Sequence, residues 1–329
     1  MQRREFLRSA GAAGLASVGL LAGCGPRAPG GAAPKALPQI GYLVGEAPPA
    51  PGEADPFMQG LRDLGYVEGQ NVIVHRRYAV GSQDRPTDLA SELVALGVDV
   101  LVARQSGSAV PLKRATGTTP IVFLGGSDPV GLGLVQSLAH PGGNATGLTS
   151  ASDQTIAKHL DFLRQLLPGV SEVAVLSSLD LVTDAVQIKS IEATGQALGI
   201  TVQTIKIDRT EEVETAFQTA VNAKLGAFII PTGPLLSRAE LAELAVKYRL
   251  PTVGNSPTKR TVIGYGANAN DLRRRGAGYV DRILKGTKPA DLPVAQPTTF
   301  DLYINVKLAR EIGIAVPQAL LAQATEVIE

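Results

Sequence analysis

Short apolar runs alternate with amphipathic stretches from Gln39 onward, and the same succession starts again near Val173. Parallel strands joined by crossover helices produce this pattern, because a strand covered on both faces reads as an unbroken apolar run. In the first half, Ile40 to Val44 reads as a buried strand. Asp55-Pro56 then supplies an N-cap and a first-turn proline for a helix through Leu64, which Gly65 stops. Asn71 to Tyr78 is a second strand, Arg85 to Leu96 a helix, Val98 to Ala103 a third strand and Pro120 to Leu124 a fourth. In the second half, Val173 to Leu176, Thr201 to Ile207 and Ala227 to Ile230 read as strands. Helices fall over Val182 to Leu198, Glu212 to Ala223 and Ser237 to Arg249. Leu64-Gly65-Tyr66 before one second strand matches Leu198-Gly199-Ile200 before the other. The class is therefore α/β, doubly wound and Rossmann-like. A duplicated lobe accounts for the repeat; one large sheet is the alternative.

The first residues read as an address rather than as fold. Arg3-Arg4 precedes a small and apolar stretch, Ala10 to Ala22, too short to span a bilayer, which fits a twin-arginine export signal. Leu21-Ala22-Gly23-Cys24 resembles a bacterial lipobox, in which the cysteine is acylated and becomes the first mature residue. Residues 1–23 are thus expected to be a signal peptide. Cys24 is the expected lipidation site, and residues 24–38, rich in Gly, Ala and Pro, a flexible tether. The membrane is then reached through a lipid. The mature net charge would be −1, because Arg3, Arg4, Arg8 and Glu5 leave with the signal.

Composition removes several functions. With one cysteine the chain has no internal disulfide and no cysteine-based metal cluster. The net charge of +1 lacks a basic stripe with interleaved aromatics, so nucleic acid is not an expected partner; Arg273-Arg274-Arg275 reads as a solvated helix face. Three histidines, His75, His140 and His159, stand far apart, with no metal-spaced pair and no Gly-x-Ser-x-Gly elbow. A Gly-x-Gly-x-x-Gly turn after the first strand is missing too. No enzyme, metal or cofactor is expected. Ligands of open parallel sheets bind outside the carboxyl ends of the strands, which makes Gly45-Glu46, Gln105 to Ser108, Gly126 to Asp128, Ser177-Ser178 and Thr232-Gly233 the candidate loops.

Several longer segments carry a family resemblance. Leu61 to Gly69 (LRDLGYVEG), Pro120 to Val130 (PIVFLGGSDPV), Leu138 to Leu148 (LAHPGGNATGL) and Tyr279 to Pro293 (YVDRILKGTKPADLP) resemble the ABC transporter substrate-binding family that includes tryptophan- and tyrosine-binding lipoproteins. The likeness covers about residues 38 to 329. It implies a type I periplasmic binding protein, with a hinge, an interlobe cleft and three chain crossings, near residues 146, 265 and 297. Lobe 1 would then be 39–145 plus 266–296, and lobe 2 146–265 plus 297–329.

The resemblance also assigns roles. Ser106-Gly107-Ser108 stands at the family's small polar turn, suited to a ligand carboxylate, with helix capping the competing use. Asp128 matches the family's Asp-Pro-Val and could hold an ammonium, although Asp before Pro129 equally begins a helix toward Leu138. Tyr265 and Asn268 match a Tyr-Gly-x-Asn segment and either cover the ligand or brace the hinge. With Glu46, Ser178 and Thr232 these complete the expected ligand set. Two loops depart from the family: Ser177 to Leu181 lacks its Trp, and Thr232 to Ser237 lacks its aromatics. An aliphatic amino acid or another small organic solute therefore fits as well as an aromatic one. The implied partners are a small-molecule ligand and an ABC permease with its ATPase, the protein acting as a monomer. A receptor reporting to a membrane sensor is the alternative.

Overall fold

The computed structural model describes residues 36–45, 48, 52–79, 85–178, 182–207, 209–231, 240–254 and 258–329. Cys24, Glu46 and Thr232 lie outside these residues. The first sheet takes β1 (Gln39–Val44), β2 (Ile73–Tyr78), β3 (Val100–Ala103), β4 (Ile121–Leu124) and β5 (Ala145–Leu148). Along it run α1 (Pro56–Asp63), α2 (Arg85–Ala95) and α3 (Ser106–Ala115). After β5 comes α4 (Ser152–Leu166). The second sheet holds β6 (Glu172–Ser178), β7 (Thr201–Ile207), β8 (Phe228–Ile230), β9 (Thr252–Gly254) and β10 (Ile263–Ala267), with α5 (Val182–Leu198), α6 (Val213–Asn222) and α7 (Glu240–Tyr248) between. Then follow α8 (Ala269–Leu284), β11 (Phe300–Asn305), α9 (Val306–Ile312), α10 (Gln318–Leu321) and β12 (Glu326–Ile328).

There are two sheets, not one. The first has the order β2-β1-β3-β4-β5, and the second, read from its β7 edge, repeats it as β7-β6-β8-β9-β10 before adding β11 and β12. Among the described residues the one antiparallel pairing is β11 against β10, and β12, parallel to β11, keeps that reversed direction. Local chemistry explains the repeat. Asp55 accepts from the Phe57 N–H and Pro56 opens α1. At the end of that helix the Tyr66 N–H reaches the Leu61 carbonyl at 2.9 Å around Gly65, whose φ is +85°. At the end of α5, Ile200 reaches Gly195 at 2.8 Å around Gly199, φ +71°. Both are left-handed glycine stops; Gly199 turns α5 straight into β7, whereas the loop Tyr66 to Val72 separates Gly65 from β2.

The fifth strand of each sheet hands the following helix to the other lobe. Helix α4 leaves β5 but packs on α5, β9 and β10, whereas α8 leaves β10 but packs on α1 and β4. Sheet membership puts the passages between lobes at residues 149–151, at Asn268 and between Ala295 and Phe300. The first two lie a few residues beyond the expected 146 and 265, because Ala145 to Leu148 pairs in full with β4 and Ile263 to Ala267 in full with β11. The first lobe buries apolar side chains on both sheet faces, around Tyr42 and Phe57 on one and Leu43 and Phe123 on the other. The second centres on Phe217 and Phe228, whose rings meet edge to face at 4.8 Å. Each such ring contributes about 2–3 kcal/mol by burial.

Candidate ligand site

The loops that leave β1, β3 and β4 meet at the first turn of α3. A Cβ on Gly45 would lie 3.2 Å from the Ser108 Oγ, so that hydroxyl stands over the chain leaving β1. Ser106 is buried: its N–H donates to the Gly125 carbonyl and its Oγ to the Ser127 carbonyl, both at 2.8 Å. Gly126 fits only without a side chain, with φ +98° and a virtual Cβ 2.5 Å from the Ser106 nitrogen. Its carbonyl accepts from the Ser150 N–H and Oγ at 2.8 Å and from the Thr149 hydroxyl at 2.9 Å. Thr149 and Ser150 belong to the first passage. The strand-end loop and the chain crossing are thus fastened to the same peptide.

These bonds sort the expected site residues. Ser106, Gly107, Ser108 and Asp128 are brought to one end of the first sheet. The Ser106 hydroxyl already serves the Ser127 carbonyl. Gly107 and Ser108 remain half-buried, and the first turn of α3 carries no acidic residue, so its N–H groups keep their positive polarity. Asp128 has φ 36°, a strained value for a non-glycine residue, and its Oδ1 accepts from the Gly131 N–H at 2.8 Å. It opens a compact turn, not the helix toward Leu138, because Gly131 and Gly133 bend the chain back within one turn.

Tyr265 and Asn268 form a different cluster. The half-buried Tyr265 ring packs between Phe162 of α4 at 5.1 Å and Phe300 of β11 at 5.9 Å, and burial pushes its phenol pKa up. Asn268 caps α8 by accepting from the Asn270 and Asp271 N–H groups and donates to Asp301 at 3.0 Å. These contacts tie together the chain after the first passage, on either side of the second, and after the third, which is the bracing role. Ser178 ends β6 opposite Ile207.

One residue near the first-lobe loops escaped the sequence reading. Arg104 follows β3 with its side chain 17% exposed, and its Nη1 lies 3.9 Å from Asp55, the carboxylate that caps α1 and meets the Tyr42 hydroxyl. A charge directly after an apolar strand was the available signal.

Two lobes with one strand order, exchanging helices and joined three times, define the type I periplasmic binding fold. The chain belongs to the family of ABC transporter substrate-binding proteins, whose model matches residues 49–328. It is 25% identical over 254 residues to the tyrosine-binding protein of Clostridioides difficile, covering 76% of this chain and 73% of that one. Among solved structures it is similar to a conserved domain protein from Vibrio cholerae, with a TM-score of 0.80 at 25% identity. It is also similar to a Streptococcus domain in complex with L-Trp, with a TM-score of 0.79 at 26% identity. Each likeness covers 89% of this chain and all of the other. Proteins of this family bind solutes outside the cytoplasm and are not enzymes. Among the described residues no helix is long and apolar enough to cross a membrane.

Proposed function

We propose that this protein captures a small organic solute, an amino acid or a close relative of one, by closing its two lobes, and delivers it to an ABC importer. One observation carries this reading: the Gly126 carbonyl joins the loops at the strand ends to the first passage, so a ligand touching those loops acts directly on the chain that must bend. Gly107 and Ser108, at the positive end of α3, take the acidic group of the ligand, and Glu46, Asp128, Ser178 and Thr232 complete the ligand set. The relatives bind tyrosine in one case and L-Trp in the other by name, so aromatic amino acids are the first ligands to try. This chain has no Trp of its own, and aliphatic amino acids come next. Export through the twin-arginine signal and a lipid on Cys24 would hold the protein at the membrane face as a monomer beside its permease and ATPase.

A thermal-shift screen against amino acids, purines and organic acids tests the reading. A ligand at a hundred times its Kd stabilises by about 2.7 kcal/mol, a readily measured shift. Ser108→Ala is expected to weaken binding by roughly tenfold while leaving the unliganded melting temperature in place. A silent screen across all classes would sink solute capture.

A further inference from the structure

His159 is a buried titratable group that ligand capture does not use. It lies on α4, beyond the first passage, and is 3% exposed. Its Nδ1 stands 2.7 Å from the Thr155 carbonyl one turn back, and its Nε2 stands 2.6 Å from the carbonyl of Tyr265 on β10, just before the second passage. A neutral imidazole has one N–H and one lone pair, and a carbonyl only accepts. The neutral ring therefore satisfies one of these contacts and aims a lone pair at the other; the imidazolium donates to both. Burial opposes the charge and pushes the pKa down to about 4, while the carbonyls of Tyr265, Thr155 and Gly254 work in the opposite direction.

Among the described residues no carboxylate comes to the aid of the ring. On α4 itself Lys158 and Asp161 pair with each other at the surface, and Arg164 is exposed. On α5, Lys189 and Glu192 are exposed, and Glu192 accepts from Thr204. β9 and α10 carry no charged side chain. β10 offers the Tyr265 phenol, whose ring meets the imidazole edge-on at 5.5 Å, and on β11 Asp301 accepts from Asn268.

We propose that His159 is a positioning residue for lobe closure: it couples the helix beyond the first passage to the strand before the second, and gaining or losing its second N–H tightens or loosens that coupling. The proposal rests on the reading that the lobes close about these passages. The imidazolium then donates both to Thr155 on α4 itself and to Tyr265 on β10, so the link to β10 is made from a ring held at both nitrogens, whereas the neutral ring donates to only one of these carbonyls. A one-unit difference in the His159 pKa between open and closed forms changes their ratio roughly tenfold.

The test needs no ligand. In the full chain carrying Cys24→Ser, spin labels at Asp88→Cys on α2 and Gln218→Cys on α6 report the interlobe distance between pH 8 and pH 4, and nitrogen NMR of the imidazoles follows the ring. The expected result is a distance distribution that moves with the His159 titration and stays at its pH 8 form in His159→Gln, which donates but does not titrate. His159→Asn serves as a second variant. A shift that persists in either folded variant overturns the proposal, as does a wild-type distribution that stays put over the whole range. Neither result alters what the solute screen reads, so the two ideas fail separately.

Discussion

Helices α4 and α8 do the same job in opposite directions, each crossing from the sheet it follows to the other lobe, yet they are seated by different chemistry. Counted from Ser152 and from Ala269, His159 and Gly276 are each the eighth residue of their helix. At that position α8 has nothing: a Cβ on Gly276 would lie 2.2 Å from Leu124 of β4, and one on Gly60 of α1 would lie 2.3 Å from the Arg274 carbonyl of α8. Helix α8 docks by close approach of backbone. At the same position α4 has an imidazole that reaches carbonyls on its own previous turn and on β10. One exchanged helix is seated chiefly by shape, with the Tyr66 hydroxyl donating to Asp281 of α8 at 3.0 Å beside the contact, and the other by bonds from a ring whose donors depend on protonation.

The hardest blow to this contrast falls on α8. Gly60→Ala puts a methyl against a backbone oxygen that cannot move without shifting the helix, and the expected loss is about 3 kcal/mol or more, read by urea unfolding. Its transition also tells whether the lobes unfold together. A loss below about 1 kcal/mol would mean that α8 slides freely and is not held by shape.

The matching test on α4 is a pH series. The folded-state pKa of His159 is pushed below its ordinary value to about 4, so its contribution is complete above pH 6.5 and is lost as the pH falls from there toward 4, when the unfolded chain takes up the proton first. The loss reaches about 3 kcal/mol at the acid end. Carboxylates titrate in the same window, so the quantity to compare is the difference between wild type and His159→Gln, whose slope should be shallower. Equal slopes would remove the distinction between the two helices.

The residues before the two helices differ in the same sense. Asn268 caps α8 with its side chain, whereas Ala151 before α4 has φ 49° and no side-chain cap. Asn268→Ala should cost about 1–2 kcal/mol, and Ala151→Gly should gain up to about 1 kcal/mol by relieving a left-handed alanine. If Ala151→Gly destabilises instead, the bend at the first passage has a role in holding α4 that its own strain hides.

Much of this was legible in the chain. Asp55-Pro56 and the Gly65 and Gly199 stops mark helix ends by local backbone demands, and they were found where expected. So was the repeated strand–helix succession, since it follows from apolar runs at a common spacing, whereas the order of the strands within each sheet comes from their pairing. The exchange of helices was not legible, because the expected crossing near residue 146 falls within Ala145 to Leu148, and only the pairing of that segment with β4 makes it a strand. His159 was visible as a histidine on a helix without a partner. Its partners are main-chain oxygens, one of them over a hundred residues away, and side-chain patterns carry no trace of them. Ser106 was chosen for its hydroxyl, but the hydroxyl is taken by a carbonyl of the neighbouring strand-end loop, a contact that exists only once β3 and β4 are side by side.

The smallest expected effect concerns the surface of the α1–α8 contact. Arg274 of α8 meets Asp63 of α1 at 2.8 Å, with the two side chains 60% and 50% exposed. At that exposure the Coulomb gain is screened and two long side chains must be ordered to obtain it, so a double-mutant cycle of Arg274→Ala and Asp63→Ala should give a coupling below about 0.5 kcal/mol that shrinks further in salt. That small value is what the shape argument requires, because the backbone approach at Gly60 lies on the same pair of helices and Arg274 supplies to it a carbonyl, not a charge. A coupling above about 1.5 kcal/mol would show that α8 is also seated by directional attraction, and its contrast with α4 would become one of degree.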